Sequence, residues 1–386
     1  MAALTAAVAG YARIQGVTSM QRLISVHPRL RRSSVAAFFS AVVPLTAIWI
    51  AAGPNSVTEI SGDARYYLAL SWHPRAPTEP PFTYRVLTPW LAHLTGLDAF
   101  WAFAVVTIVG LAATAVLLWA VVLHDRTPAQ AWLALALFVV SPAAVYSLAD
   151  HYLVDSFAYA FLAGVLLLLQ RNRMTSAAIV CVAGMLAKEP VLFASPIVLL
   201  LAVRSRARAA IAILLAGAPA LYLVIHHTNW IANGAGRESP YFTESNLHTV
   251  VSNQGGALRA ILIAVVVGFG PLAIAAVVAW SSATSLVRLW ALLLIPFTLS
   301  MLIAGDWIRM LAYSAVVFVP IAAQYAWSKT GALLTLAATA LSSIGVQKMP
   351  GTWLQVLVGT AVIAIYAVLA WRFTQPRSSK ISWQFE

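Results

Sequence analysis

Apolar runs about as long as a bilayer core is thick recur from Ser34 to Trp371, each closed by a short polar interruption. A hydrocarbon core of about 30 Å takes roughly 17–25 apolar residues per helix. On that basis the pattern predicts helices near Ser34–Ala52, Ala99–Leu123, Gln130–Leu148, Leu153–Leu169, Ala209–Ile225, Leu258–Trp280, Leu289–Ala304, Met310–Trp327, Ala332–Val346 and Trp353–Trp371. Two further runs, Ser176–Ala187 and Val191–Val203, are too short to cross upright and are joined by Lys188-Glu189-Pro190, so they predict a helical hairpin. The expected fold class is therefore all-α: a polytopic integral membrane protein with about 12 transmembrane or re-entrant helices.

One stretch breaks the pattern. Ser61–Leu94 carries Asp63, Arg65, Tyr66, Tyr67, Arg75, Glu79, Tyr84 and Arg85 between two apolar runs, which makes it too polar to span. Asp63 stands just before Tyr66, Tyr67 and Leu70, the placing of an acidic residue at the start of a short helix, while Pro80-Pro81 precedes a second apolar segment through Trp90 and Leu94. The first loop thus predicts two surface helices joined by a proline-stiffened turn.

Composition agrees with a membrane reading. Of 386 residues 61% are hydrophobic and 9% charged, and the mean hydropathy is +0.84. The net charge of +12 could point to nucleic acid, but its distribution points to topology. With the N-terminus inside, 16 of the 24 basic residues fall on inner segments, whereas ten of the 12 acidic residues fall on the outer side. The positive-inside rule then places both termini inside and the first loop outside. This divides the chain into a basic N-terminal segment 1–33 with an expected interfacial helix, a membrane domain 34–371 with outer loops 53–98 and 226–257, and a tail 372–386. A bacterial inner or plasma membrane with its working face extracytoplasmic is the expected location.

Acidic residues contribute little to insertion, so their gathering on one side suggests chemistry there. Each candidate has two readings. Asp63 caps a helix or takes a proton from an acceptor hydroxyl. Arg65 and Arg85 snorkel to headgroups or grip a phosphate. Asp150 and Asp155 flank a tight turn, where one of them is expected to cap the next helix. Lys188 and Glu189 form a plain ion pair or part of a site, since charges at a membrane helix end are costly to keep. Asp306 and Arg309, one turn apart, pair at the interface or hold a phosphate. His226, His227 and His248 have no metal-ligand spacing, so no metal site or other cofactor is expected. A single cysteine, Cys181, leaves no intrachain disulfide. There is no nucleotide-binding glycine loop and no serine-hydrolase or zinc-protease motif.

Gly62-Asp63 with Tyr66-Tyr67, the Pro81-Phe82-Thr83-Tyr84-Arg85 continuation, the Ala187-Lys188-Glu189 turn and Asp306-Trp307-Ile308-Arg309 together resemble the GT-C superfamily of polytopic glycosyltransferases. The resemblance covers the chain in topology and only a few residues in motif. It implies transfer of a sugar from a polyprenyl-phosphate donor to a hydroxyl of a glycan, lipid or protein acceptor on the outer face. It implies Asp63 as general base and Arg65, Arg85, Lys188 and Arg309 as candidates to hold the lipid phosphate. The competing expectation is a transporter or lipid or polysaccharide flippase, in which buried charges line a path. Membrane lipids are expected partners in either case and nucleic acid is not.

Overall fold

A computed structural model describes residues 19–53, 63–73, 82–227, 270–300, 311–345 and 352–374. Among these residues the architecture is helical, with no strand. Three stretches, Ser33–Ala52, Ala99–Asp125 and Pro128–Ala149, are long and apolar enough to cross a bilayer, and shorter apolar helices surround them. The chain is a membrane-embedded helical protein.

Helix α1 (Ser19–Ala52) shows how the bundle is built. Ala37, Ala41, Leu45 and Trp49 recur every four residues and are buried, whereas Val35, Phe39, Val43 and Ile50 on its other faces are exposed. The exposed face is apolar as well, as suits contact with lipid tails. Between helices in lipid the hydrophobic effect supplies little, so close packing of small residues must hold them. The core accordingly contains many alanines, including Ala104, Ala112, Ala115, Ala131, Ala134, Ala158 and Ala163.

The first loop contains two short helices, as expected, α2 (Ala64–Trp72) and α3 (Leu87–Leu94), with a 3-10 turn at Phe82–Tyr84 before α3. The central helix α4 (Ala99–Asp125) begins under an Asp98 cap that accepts from the Phe100 and Trp101 amides at 3.0 and 3.3 Å. At about 1.5 Å per residue its 27 residues cover about 40 Å, enough for the hydrocarbon core with a margin. The predicted Gln130–Leu148 helix is broken into α5 (Pro128–Val139) and α6 (Pro142–Ala149). The break has a local cause: Ser141 caps a new helix and Pro142 has no N–H with which to continue the old one.

Helix α7 (Asp155–Gln170) runs parallel to α4, pinned at both ends. Thr107 donates to the His151 carbonyl and Thr114 to the Ser156 carbonyl, while Gln170 donates to the Val121 carbonyl and to Asp125. Gly110 permits the approach, since a Cβ there would lie 2.8 Å from Ser156 Oγ.

The expected hairpin follows. Helix α8 (Met174–Ala183) continues as a 3-10 turn Gly184–Leu186, and Glu189–Ala194 leads into α9 (Ser195–Arg204). Lys188 between them is extended, with φ −169° and ψ 146°. From Met174 to Leu186 the chain climbs about 21 Å, close to the roughly 24 Å of α7. The tip therefore reaches the level of the first residue of α7. Beyond it come α10 (Arg208–Ala212), a π turn at Ile213–Gly217 and α11 (Ala218–His227). After the undescribed stretch lie α12 (Gly270–Ala279), α13 (Ser285–Ser300), α14 (Ala315–Ala323), α15 (Lys329–Ala340) and α16 (Thr352–Thr374).

These pairings sort the charges by end. The beginnings of α2, α4 and α7 and the hairpin tip share one end, with Asp63, Asp98, Asp150, Asp155 and Glu189. The opposite end holds Arg126, Arg171, Arg173, Arg204, Arg206, Arg208, Arg288 and Lys329, with Asp125 as the acidic residue. A polar knot closes it: Arg126 donates to the Ser282 carbonyl, Gln130 to the Gln324 carbonyl, and the Thr284 amide to Gln324 Oε1.

The hairpin arms meet at Gly184, where an added Cβ would stand 3.0 Å from Val191 Cβ and 3.1 Å from Phe161 Cβ. Gly184→Ala is expected to cost about 1–3 kcal/mol by overpacking. Thermal unfolding of the purified protein in detergent measures this, and adding Val191→Ala should recover part of the loss by removing the nearest γ-methyl.

Candidate functional site

At the acidic end four of the charged residues singled out from sequence come together in two pairs. Lys188 Nζ lies 2.5 Å from Asp155 Oδ1, with the two side chains 0% and 1% exposed. Arg85 faces Glu189 with a forked contact: Nε to Oε1 at 3.1 Å and to Oε2 at 3.0 Å, and Nη2 to Oε2 at 3.0 Å. Because Lys188 and Glu189 are consecutive, the pairs form one run of alternating charge, Asp155, Lys188, Glu189, Arg85. It neutralises itself.

Each member is held by a different element. Asp155 is the first residue of α7, yet it does not cap that helix; Val154 occupies the cap position. The capping role expected at this turn is thus not played by Asp155, whose carboxylate is taken by Lys188 and by Tyr313, which donates to the same Oδ1 at 2.6 Å. Tyr313 was not among the residues predicted for the site. Its signal is a phenol near the start of the apolar run that leads into α14, a group that when buried needs a polar partner.

Arg85 follows the 3-10 turn, is itself buried, and donates from its third nitrogen, Nη1, to the Tyr67 hydroxyl of α2 at 2.9 Å. Burial alone would push the guanidinium down, but Glu189 and Tyr67 more than offset it and hold Arg85 above its ordinary value. Phe82 packs beneath, stacked on Tyr66 at 4.2 Å and edge-on to Tyr67 at 5.6 Å. These rings join Phe103, Tyr152 and Leu153 in a second apolar cluster separate from the membrane core. Tyr84 extends the contact, stacking on Tyr222 of α11 at 5.3 Å. Burial, then Tyr222 and the nearby Glu189 charge, push the Tyr84 phenol upward.

The other predicted residues stand apart from this run. Asp63 precedes α2 and is half-buried; its backbone is helical, and its carboxylate accepts no capping hydrogen bond from the first turn. Arg65 is exposed and donates to the Tyr66 phenol at 3.0 Å, its guanidinium 4.8 Å from that ring's centre. Asp150 ends α6 and is half-buried; burial, then the charges of Asp98 and Asp150, raise the Tyr152 phenol to about 12. Asp306, Arg309, Glu79, Arg75 and His248 lie outside the described residues. Among the described residues no group of three or more potential metal ligands occurs.

The expectation that Arg85 and Lys188 face a lipid phosphate meets a physical obstacle. Both are already neutralised by carboxylates, so an anion would have to displace Glu189 or Asp155. In this structure the two pairs hold elements together. Arg85 fastens α2 and the 3-10 turn to the hairpin tip, and Lys188 fastens the tip to α7.

No family model, curated protein or solved structure matches this chain.

Two outcomes are expected. Lys188→Met alone strands a buried carboxylate and should cost about 3–5 kcal/mol, while Lys188→Met with Asp155→Leu should cost far less than the sum of the single changes. Unfolding of the four proteins of that cycle in one detergent reads the coupling. The second concerns His151, which is fully buried among Trp49, Phe100 and Tyr152. Burial lowers its imidazole to about 4, a little relieved by the Phe100 backbone. The unfolded chain, with an ordinary value of about 6.5, takes up the proton first as pH falls. Stability should therefore decline from about pH 6.5 to pH 4 and hold steady above, and His151→Phe should flatten that decline. Unfolding midpoints across this pH range check it.

Proposed function

We propose that the protein is a membrane glycosyltransferase of the GT-C kind, moving a sugar from a polyprenyl-phosphate donor to an acceptor hydroxyl at the acidic, outward end of the bundle. The observation that carries this reading is the anchoring of the first loop. Through Arg85 it is ion-paired to the hairpin tip, and through Tyr67 and Phe82 it is packed onto Phe103 and Tyr152 at the beginnings of α4 and α7, rather than left as a connector. That anchoring keeps Asp63 at a fixed place at the bundle end, its carboxylate not spent on the helix cap.

In this reading Asp63 accepts the proton of the acceptor hydroxyl as its oxygen attacks the anomeric carbon. The bond from that carbon to the phosphate oxygen breaks, and polyprenyl phosphate leaves with inversion. Arg65, exposed beside Tyr66, and Arg309 are the candidates to stabilise the departing phosphate, while Arg85, Lys188, Glu189 and Asp155 hold the frame. The isoprenoid tail stays in the bilayer. The charge separation of the bundle ends supports placing the basic end inside, in a plasma membrane.

A transporter or flippase is the second reading, and one observation favours it: a fully buried Lys188–Asp155 pair is the kind of group that lines an ion or substrate path.

The test is to incubate the purified full chain with a panel of polyprenyl-phosphate sugars and glycan acceptors and to follow release of polyprenyl phosphate. Release dependent on both partners is expected, and Asp63→Asn should lower it by about 100-fold or more. Full transfer by Asp63→Asn at normal folding would remove Asp63 as base. Movement of labelled lipid or sugar across proteoliposomes without any bond cleavage would decide for transport.

A further inference from the structure

At the basic end, two tight turns of the same construction stand side by side. The first joins α7 to α8 through Arg171-Asn172-Arg173; the second joins α9 to α10 through Ser205-Arg206-Ala207. In each, one residue takes the left-handed conformation, Asn172 at φ 55° and Arg206 at φ 56°. In each, two amides close back on the preceding helix. Asn172 donates to the Leu169 carbonyl and Arg173 to Leu168, as Arg206 does to Val203 and Ala207 to Ala202. A glycine is the usual occupant of such a position, because a side chain there is strained. Arginine at 206 keeps a guanidinium in a place where glycine would be easier.

The turns are neighbours because their helices are. α9 returns antiparallel to α8, and α10 runs alongside α8 in the same direction, bringing Gly217 of the following π turn against Val182. Arg171, Arg173, Arg204, Arg206 and Arg208 therefore share one surface, and all five are exposed. None enters an ion pair among the described residues. Asp125, the acidic side chain at this end, is committed to His124 and Gln170. Crowding by its own surroundings, and after it the Arg173 guanidinium, works against the charge on Arg171. The concentration of positive charge is thus unfavourable by itself and complementary to an anion.

The chain uses arginine for most of its cations, so residue type alone decides nothing here. Placement does: five guanidinium groups stand at the ends of apolar helices, where lipid headgroups lie. We propose that this surface is a binding site for anionic phospholipid, the forked guanidinium groups gripping headgroup phosphates while the acyl chains lie along the apolar faces of α8 and α9. It is independent of the sugar-transfer reading, since it lies at the other end of the bundle. Exposed Ile179, Leu200 and Val203 on those helices offer the apolar contact. Juxtamembrane basic clusters attract anionic headgroups by an amount equivalent to about a five-fold gain in affinity for each arginine. Bidentate contacts add geometry that an ammonium does not supply.

The test uses the purified full chain in neutral detergent, titrated with phosphatidylglycerol, phosphatidylcholine or inorganic phosphate. Lipid retained through detergent washing is counted by mass spectrometry, and the unfolding midpoint is followed alongside. Phosphatidylglycerol is expected to be retained and to raise the midpoint, with phosphatidylcholine and inorganic phosphate doing neither. Arg171→Gln with Arg206→Gln should weaken retention by about 25-fold, in keeping with two arginines. Replacing all five by lysine keeps the charge and hence the insertion topology, and should still bind several-fold more weakly than the native protein. Equal retention of phosphatidylcholine, an equal effect of inorganic phosphate, or native affinity in the all-lysine protein would each overturn the proposal.

Discussion

Lys188 and Glu189 are consecutive residues of opposite charge at the tip of a helical hairpin, and Lys188 and the Arg85 that faces Glu189 are both too buried to be left without a partner. Taking an ion out of water costs several kcal/mol even after relaxation, so each must find its counter-charge as the fold forms. The two tip residues are paired on different elements: Lys188 on Asp155 at the start of α7, and Glu189 on Arg85 in the first loop. The requirement is stringent because a peptide unit links the two residues. The hairpin must reach the level of α7, and the loop must lie over the tip at the same time.

The remaining contacts follow from that constraint. Gly184 lets the hairpin arms close so that Lys188 arrives where Asp155 is, and Gly110 lets α7 lie against α4 so that Asp155 is held there. Tyr313 brings the start of α14 to the same carboxylate. Two kinds of packing support the arrangement. In the bundle, small residues permit close approach, because lipid offers no hydrophobic drive to helix association. At the acidic end, Tyr67, Phe82, Phe103 and Tyr152 form a second cluster that gathers the loop helices on the beginning of α4. The basic end is closed differently, by hydrogen bonds to carbonyl groups and an amide rather than by ion pairs, among Arg126, Gln130, Gln324 and the α12–α13 turn.

Much of the architecture was legible in the chain because bilayer thickness imposes a period on the sequence. The loop helices, the hairpin around Lys188-Glu189-Pro190 and the separation of charges by end all follow from local composition. The break at Ser141-Pro142 was also present as a capping serine and a proline, though the surrounding apolar run concealed it. The charged residues of the site were recognisable one by one, since charge near a membrane helix end is costly enough to need a reason. Their partners were not: nothing local pairs Arg85 with Glu189 or Lys188 with Asp155, and Tyr313 carries little signal at all.

The sequence by itself determined a helical membrane protein, the apolar runs that carry its helices, and the residues too polar to sit there without a reason. Those are properties of short segments, governed by hydropathy, capping and turn chemistry. Only the tertiary structure decided that Asp155 pairs with Lys188 rather than capping α7, and that Arg85, 104 positions from Glu189, locks the first loop to the hairpin. Such pairings depend on which helix ends reach the same depth and face each other. That is settled by the packing of whole helices and is not written in any one stretch of the chain.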